Sequence, residues 1–257
     1  MTQQVNPSPS PTVSIITPVF NAERFLEQTI QSVLQQDFTD WELLLINDCS
    51  TDKSVEIISR HKADSRIRLV NLEENSGAAI ARNRGISLAR GRYIAFLDSD
   101  DLWMPDKLGK QLDYMKRNNC AFCFTEIRRT DEQGHPMGKI RAIQEKVDYR
   151  YLLRKTVIAT SSVVVDKAVV GDFTMPLRRS GQDYATWLML LRRVPHACCL
   201  QEPLIDYRVV NNSLSSNKLS SLKQVFDIQT QDEHIPTWQA AINTCCFAVY
   251  AFKKHYC

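Results

Sequence analysis

Four apolar runs of strand length, Val13–Phe20, Trp41–Ile46, Ile67–Leu72 and Tyr93–Leu97, recur along the first part of the chain with helical stretches between them. After the first run, Asn21 offers a helix N-cap. Leu26, Ile30, Val33 and Leu34 then line one apolar helical face. Ser50 offers a cap for a second helix carrying Val55, Ile57 and Ile58, and Asn75 to Ala89 reads as a third, closed by Gly91. Strands that alternate with helices over short connections pair in parallel through right-handed crossovers. The chain is therefore predicted to be α/β, with a Rossmann-like, mostly parallel twisted sheet and helices on both faces. In such sheets ligands bind beyond the carboxyl ends of the strands.

That rule brings distant residues together. Phe20-Asn21, Asn47-Asp48 and Asp98-Ser99-Asp100 each follow a strand end and are predicted to share one edge of the sheet. The last of these is the most telling. The run Tyr93–Leu97 stops in a cluster of three carboxylates, Asp98, Asp100 and Asp101. Carboxylates this close repel one another unless a cation sits among them. Hard oxygen ligands without His or Cys suit Mg²⁺ or Mn²⁺, ions that hold substrate phosphates through one or two carboxylates. The competing reading is a polar loop with Asp as turn former. The convergence of three strand ends favours a metal-diphosphate site.

After residue 105 the rhythm changes. The pattern predicts a helix over Lys107–Arg117, a strand over Ala121–Arg129, a short strand over Ser162–Val165 and a helix over Gln182–Arg193. Strands near Ala197–Leu200 and Leu204–Val209 follow, then a loop rich in Asn and Ser over Asn211–Asn217 and a last helix over Trp238–Tyr256. At 257 residues the chain can hold one large α/β domain or two small ones. A net charge of +3 is too small to imply nucleic acid. No apolar run approaches the roughly 18 to 20 residues of a membrane span. Residues 1–11, with Pro7, Pro9 and Pro11, read as a disordered tail and not as a signal peptide. Among the eight cysteines, Cys120 and Cys123 form one C-x-x-C, in a strand-like segment where residues three apart point to opposite faces. With no second pair at zinc-ribbon spacing, buried reduced thiols of a cytoplasmic protein are expected.

Several ordered motifs make the chain recognisable. They are Ser14-Ile-Ile-Thr-Pro-Val-Phe-Asn21, Asn47-Asp-Cys-Ser-Thr-Asp52, Gly77-Ala-Ala-Ile-Ala-Arg-Asn-Arg-Gly85, Gly91-Arg-Tyr-Ile-Ala-Phe-Leu-Asp-Ser-Asp-Asp101 and Gly181-Gln-Asp-Tyr184. The sequence resembles the family 2 inverting glycosyltransferases of the GT-A fold, of the bacterial kind that builds cell-surface polysaccharide. The resemblance covers residues 12 to 217, divided into a nucleotide-binding half (12–104) and an acceptor-binding half (105–217), with 218–257 as a C-terminal helical extension. It implies a nucleotide-sugar donor with UDP as the default, Mn²⁺ or Mg²⁺, and a saccharide acceptor of the polyprenyl-diphosphate-linked kind. By position, Asp48 matches the reader of the base, and a carboxylate can accept the N3–H of uracil. Pro18, Phe20 and Asn21 match the base pocket, and Arg82 and Asn83 the helix facing the nucleotide. Asp98, Ser99 and Asp100 match the D-x-D motif, with Asp98 and Asp100 toward the metal. Asp183 matches the catalytic base. Two departures stand out: Asn47 where the family often has Asp, and Gln182 where it often has Glu, which removes a negative charge beside Asp183.

Some residues keep a second reading. Asp183 also fits a capping pattern with Ser180 ahead of an apolar helix. Trp103 fits either a sugar-facing wall or the core. Arg208 and Lys218 fit either a phosphate loop or solvated loop residues. The last helix, aromatic and ending in Lys253-Lys254, fits either docking on the domain or peripheral contact with the cytoplasmic face of the inner membrane. Two other classes compete. A haloacid-dehalogenase-type phosphatase places its D-x-D after the first strand, not the fourth. A nucleotide-sugar-binding protein without turnover would bind donor and transfer to nothing.

Overall fold

A computed structural model describes residues 10–140, 142–210 and 218–256. Residues 1–9 of the expected tail (1–11) and the expected loop over 211–217 lie outside the described residues, while Pro11 is buried and belongs to the domain. The strands are β1 (Val13–Val19), β2 (Trp41–Asn47), β3 (Ile67–Asn71), β4 (Tyr93–Phe96), β5 (Leu102–Trp103), β6 (Phe122–Thr130), β7 (Lys146–Val147), β8 (Val164–Asp166) and β9 (Ala197–Arg208). The helices are α1 (Leu26–Leu34), α2 (Ser54–Arg60), α3 (Ala78–Leu88), α4 (Lys107–Arg117), α5 (Tyr149–Leu152), α6 (Lys167–Val170), α7 (Gln182–Leu191), α8 (Lys218–Asp227) and α9 (Thr237–Tyr256).

One sheet runs through both expected halves, in the order β3-β2-β1-β4-β8-β6-β9-β5, with β7 paired to β9. The first four strands are parallel, as their crossovers require. Beyond β4 the sheet changes character. β8 runs antiparallel to both β4 and β6, while β6 and β9 are parallel. β5 and β7 are antiparallel to β9. The sheet is mixed yet mostly parallel, as expected: β1, β2, β3, β4, β6 and β9 run one way, and the short β5, β7 and β8 run against them.

Alternation along the strands feeds a core on each face. Ile16, Leu44, Ile46, Ile94 and Phe96 point to one side, where α3, α7, α8 and α9 pack. Ile15, Leu43, Leu45 and Ala95 point to the other, under α1, α2 and α4. Trp187 of α7 lies 5.8 Å from the ring of Phe96 on β4 and 5.4 Å from that of Phe122 on β6. This packing fixes the start of α7 relative to the end of β4.

Several boundaries differ from the pattern. Helix α1 begins at Leu26, not after Asn21. Asn21 is held in the left-handed region (φ 48°), with its side chain accepting the Thr51 N–H at 2.8 Å and its own N–H donating to Ser50 Oγ at 3.1 Å. Ser50 is thus engaged with the neighbouring loop, and α2 starts at Ser54, whose N–H donates to Asp52. The two strands expected after residue 196 are one strand, β9, whose register against β6 shifts beside Pro203. Cys120 and Cys123 do not diverge: both join Cys198 in one core cluster. Cys120 precedes β6, after the left-handed Asn119 (φ 47°), so strand alternation does not govern it. Among the described residues no helix is long and apolar enough to cross a membrane.

Candidate active site

The carboxyl ends of β1 and β2 build the first wall. Asp48 follows β2 and is buried, its backbone N–H donating to Val19 O at 2.8 Å. Its carboxylate accepts the N–H of Ser76 at 2.7 Å and of Gly77 at 2.8 Å. Gly77 (φ 88°) immediately precedes α3, so the carboxylate sits where the helix N-terminus favours negative charge. This contact explains why α3 begins at Ala78 and not at Asn75: the intervening residues wrap Asp48. Each carboxylate oxygen still has a lone pair to offer. Asn47 uses both ends of its amide, donating to Asn71 Oδ1 at 2.9 Å and accepting from Ser50 N–H at 3.0 Å. An Asp there would lose the donor. Pro18 is half-buried, while Phe20 and Asn21 are exposed beside them.

The second wall is the loop after β4. Thr29 of α1 donates to the carbonyls of Ser99 and Asp101, at 3.0 Å each, and pins the loop from below. Asp98 accepts from the guanidinium of Arg82 on α3 and donates its N–H to Ser161 Oγ at 3.0 Å. Arg82 is buried, and its Nε has no partner among the described residues. Asp101 is buried, taking the Arg208 N–H at 2.9 Å and the Ser161 hydroxyl at 2.6 Å. Burial, with the nearby Asp100 and Asp98, holds the Asp101 carboxyl well above the usual range. Asp100 is half-buried between these groups. Burial and the charge of Asp98 push its carboxyl up to about 6, against the opposing pull of Arg208 and Arg82. Two crowded acids with too few cations form a donor set that suits a hard divalent ion.

The third wall comes from the second half. Gly181 (φ 73°) turns the chain into α7 and leaves no side-chain cap on that helix, so Ser180 does not cap it. Asp183, in the first turn, accepts the Tyr184 N–H at 2.8 Å and the Thr160 hydroxyl at 3.3 Å. Beside it, Gln182 Oε1 is buried with no partner among the described residues. Tyr207 on β9 ties the walls together. Its phenol is pushed upward by burial and by Asp101, Asp98, Asp100 and Asp183. One ring therefore stands within electrostatic reach of the D-x-D carboxylates and of Asp183. The adjacent Arg208 is buried, stacked 4.1 Å from the Phe25 ring, with Nη2 donating to Gln28 at 2.7 Å. Its Nε and Nη1 have no partner among the described residues.

Not every expected residue faces this space. Trp103 is buried at 3% exposure and donates Nε1–H to Ser161 O at 2.8 Å, under the ammonium of Lys107. It belongs to the core and not to a sugar-facing wall, because its strand β5 pairs inward with β9. Asn83 uses both amide atoms on the Met175 backbone, at 2.9 and 2.7 Å, bracing the segment that leads to α7. The side chain of Lys218 lies outside the described residues. Thr29, Thr160 and Ser161 shape the site although nothing in the motifs points to them, and Asp101, one of the three clustered carboxylates, serves as a buried anchor of the loop. For Thr160 and Ser161 the one sequence signal is a polar Thr-Ser-Ser ahead of an apolar strand.

The model of "Glycosyl transferase family 2" matches residues 14–174. The chain belongs to this glycosyltransferase family. It is 43% identical to TuaG of Bacillus subtilis (strain 168), named as a teichuronic acid biosynthesis glycosyltransferase, over 94% of this chain and 95% of that one. It is 37% identical to WfgD of Escherichia coli over 84% of each chain; that protein is named as a UDP-Glc:alpha-D-GlcNAc-diphosphoundecaprenol beta-1,3-glucosyltransferase. Among solved structures, S. aureus TarS 1-349 in complex with UDP-GlcNAc superposes with a TM-score of 0.72 at 17% identity, over 91% of this chain and 70% of that one. The fold is that of the GT-A glycosyltransferases.

Proposed function

We propose that this glycosyltransferase moves a sugar from a UDP-linked donor to a hydroxyl of a saccharide carried on a lipid diphosphate, with inversion, in cell-surface polysaccharide synthesis. The reading rests above all on one juxtaposition: Thr160 donates to Asp183 while the next residue, Ser161, accepts the Asp98 N–H, so the D-x-D loop and Asp183 meet across one short segment although they come from opposite halves of the chain. The names of TuaG and WfgD support the substrate classes. We take 12–217 as the catalytic unit and 218–257 as an extension docked upon it.

Asp48, with Pro18, Phe20 and Asn21 beside it, receives the base, accepting the uracil N3–H on a free lone pair. Arg82 and Arg208 bring guanidinium groups to the diphosphate side, where their unpartnered N–H groups are suited to phosphate oxygens. Asp98 and Asp100 would hold a divalent cation, Mn²⁺ or Mg²⁺, and Ser99 spaces them. When bound, such an ion offsets the charge that develops on the leaving diphosphate. Asp183 takes the proton from the acceptor hydroxyl. The acceptor oxygen forms its bond to the anomeric carbon as the bond from that carbon to the phosphate oxygen breaks, and UDP leaves with the electron pair. Thr160 orients the Asp183 carboxylate, and Gln182 Oε1 is free to accept an acceptor hydroxyl. Asn83 serves as a brace.

The test is a transfer assay with UDP-Glc, UDP-GlcNAc and UDP-Gal against a short-chain lipid-diphosphate-linked GlcNAc, with product configuration read by NMR. Formation of a β-glycoside from one donor is the expected result. Donor binding without transfer to any acceptor would return the chain to the non-catalytic reading.

A further inference from the structure

Helix α9 has two unlike sides. Ala240, Asn243 and Phe247 are buried against the domain. Asn243 donates to Gln229 at 2.9 Å and accepts from Arg154 at 3.2 Å. Phe247 enters the same core as Tyr184 and Trp187 of α7, so α9 is coupled to the helix that carries Asp183. The opposite side is exposed and apolar: Trp238 is 67%, Ile242 51% and Val249 58% exposed, with Ala241, Cys245 and Cys246 between them. From Thr237 to Tyr250 the helix has no charged residue. At 100° per residue these exposed positions cover a broad arc, wider than the narrow a/d seam of a helix pair.

The rim of this face is cationic. Arg154 reaches α9 through Asn243, and Lys155 lies 5.5 Å from the Tyr250 ring. None of the ion pairs of the described residues takes either cation. The carboxylates of the preceding turn, Asp232 and Glu233, are paired with Arg178 and Arg192. We infer that the exposed side of α9 is a docking face for an anionic lipid surface. Trp238, Ile242 and Val249 enter the headgroup boundary, while Arg154 and Lys155 meet lipid phosphates. An uncharged apolar arc with an aromatic end and a basic rim is what such a surface takes in. The inference rests on the lipid-linked acceptor proposed above: a chain whose described residues contain no spanning helix must meet that acceptor at the membrane surface.

The molecule supplies its own probe. Trp41, Trp103 and Trp187 are buried at 2%, 3% and 1%, so Trp238 alone of the four tryptophans is open to lipid. Full-length protein is mixed with vesicles of phosphatidylglycerol and phosphatidylcholine, or of phosphatidylcholine alone, each with and without brominated acyl chains. Co-sedimentation and tryptophan emission are read together. The expected result is a blue shift and bromine quenching with the anionic vesicles, lost in Trp238→Phe although that variant still sediments. Ile242→Asp should weaken binding roughly tenfold, and Lys155→Ala about fivefold, both with unchanged UDP binding. Absence of sedimentation with anionic vesicles would overturn the inference. So would a concentration-dependent dimer dissolved by Ile242→Asp, which would assign the face to a second copy. UDP binding, measured on the same samples, reports separately on the glycosyltransferase reading.

Discussion

At the scale of single residues the site is a set of acids held where they are uncomfortable. Asp100 titrates at about 6 when folded, against an ordinary value near 3.8. Between those values the folded chain holds the extra proton, so stability falls as pH rises through the window and stays lower above it. Asp100→Asn should therefore raise the melting temperature of the metal-free protein at pH 7.5. The gain should shrink as pH falls toward 4, where the wild-type carboxyl is neutral anyway. Thermal melts across that range check it, and an equal gain at every pH would rule out burial and the Asp98 charge as its origin. Asp183 differs. It is half-buried; an Asn there keeps one oxygen for the Tyr184 N–H, and its NH2 can donate to the Thr160 hydroxyl, which accepts as well as donates. Asp183→Asn should cut turnover by about 10² to 10⁴ while stability stays within about 0.5 kcal/mol and UDP affinity is unchanged. Calorimetry beside a transfer assay separates these readouts. Asp98 and Asp100 were visible because carboxylates at a strand end stand out against an apolar run, whereas Asp183, which its spacing reads as a helix cap, is singled out by motif resemblance. Trp103 was ambiguous for the converse reason: an aromatic residue beside a site and one beneath it read alike until the pairing of β5 with β9 is known.

At the scale of elements, the strand-helix alternation was legible because continuous apolar strands and amphipathic helices carry periods of their own. Helix starts were less so. Asn21, Ser50 and Asn75 are all good capping residues, and each bonds instead to a neighbouring loop of the same sheet edge. Caps are local signals, and at a ligand-binding edge long-range loop contacts outcompete them. The unity of β9 was hidden by Pro203, which breaks the pattern but not the strand. Gly181 shows how closely the second half is fitted. A Cβ there would stand 1.9 Å from Gln224 Nε2 and 2.9 Å from Ile228 Cδ1, and φ is +73°. Gly181→Ala should cost about 1 to 3 kcal/mol through strain and displaced packing. It should also lower turnover more than UDP affinity, because it moves Asp183 and not Asp48. Denaturant unfolding with steady-state kinetics tests this, and unaltered turnover would show that α7 tolerates the shift.

At the scale of the molecule, the two halves act as one because one sheet spans them. β4 delivers Asp98 and Asp100, and β9 delivers Tyr207 and Arg208. Arg208 donates its N–H to Asp101, while Ser161 joins Asp101 to the Asp98 backbone. The short strand over 162–165 was legible but its antiparallel place between β4 and β6 was not, and the two-residue strands β5 and β7 leave no periodic signal at all. A donor pocket assembled in this way should bind with an affinity that depends on a cation held by Asp98 and Asp100. The decisive measurement is titration calorimetry of UDP into the wild-type chain and into Asp100→Asn, each with and without Mn²⁺. Mn²⁺ should tighten UDP binding by about tenfold or more in the wild type and not at all in the variant. Equal binding in all four titrations would contradict a cation-dependent donor site.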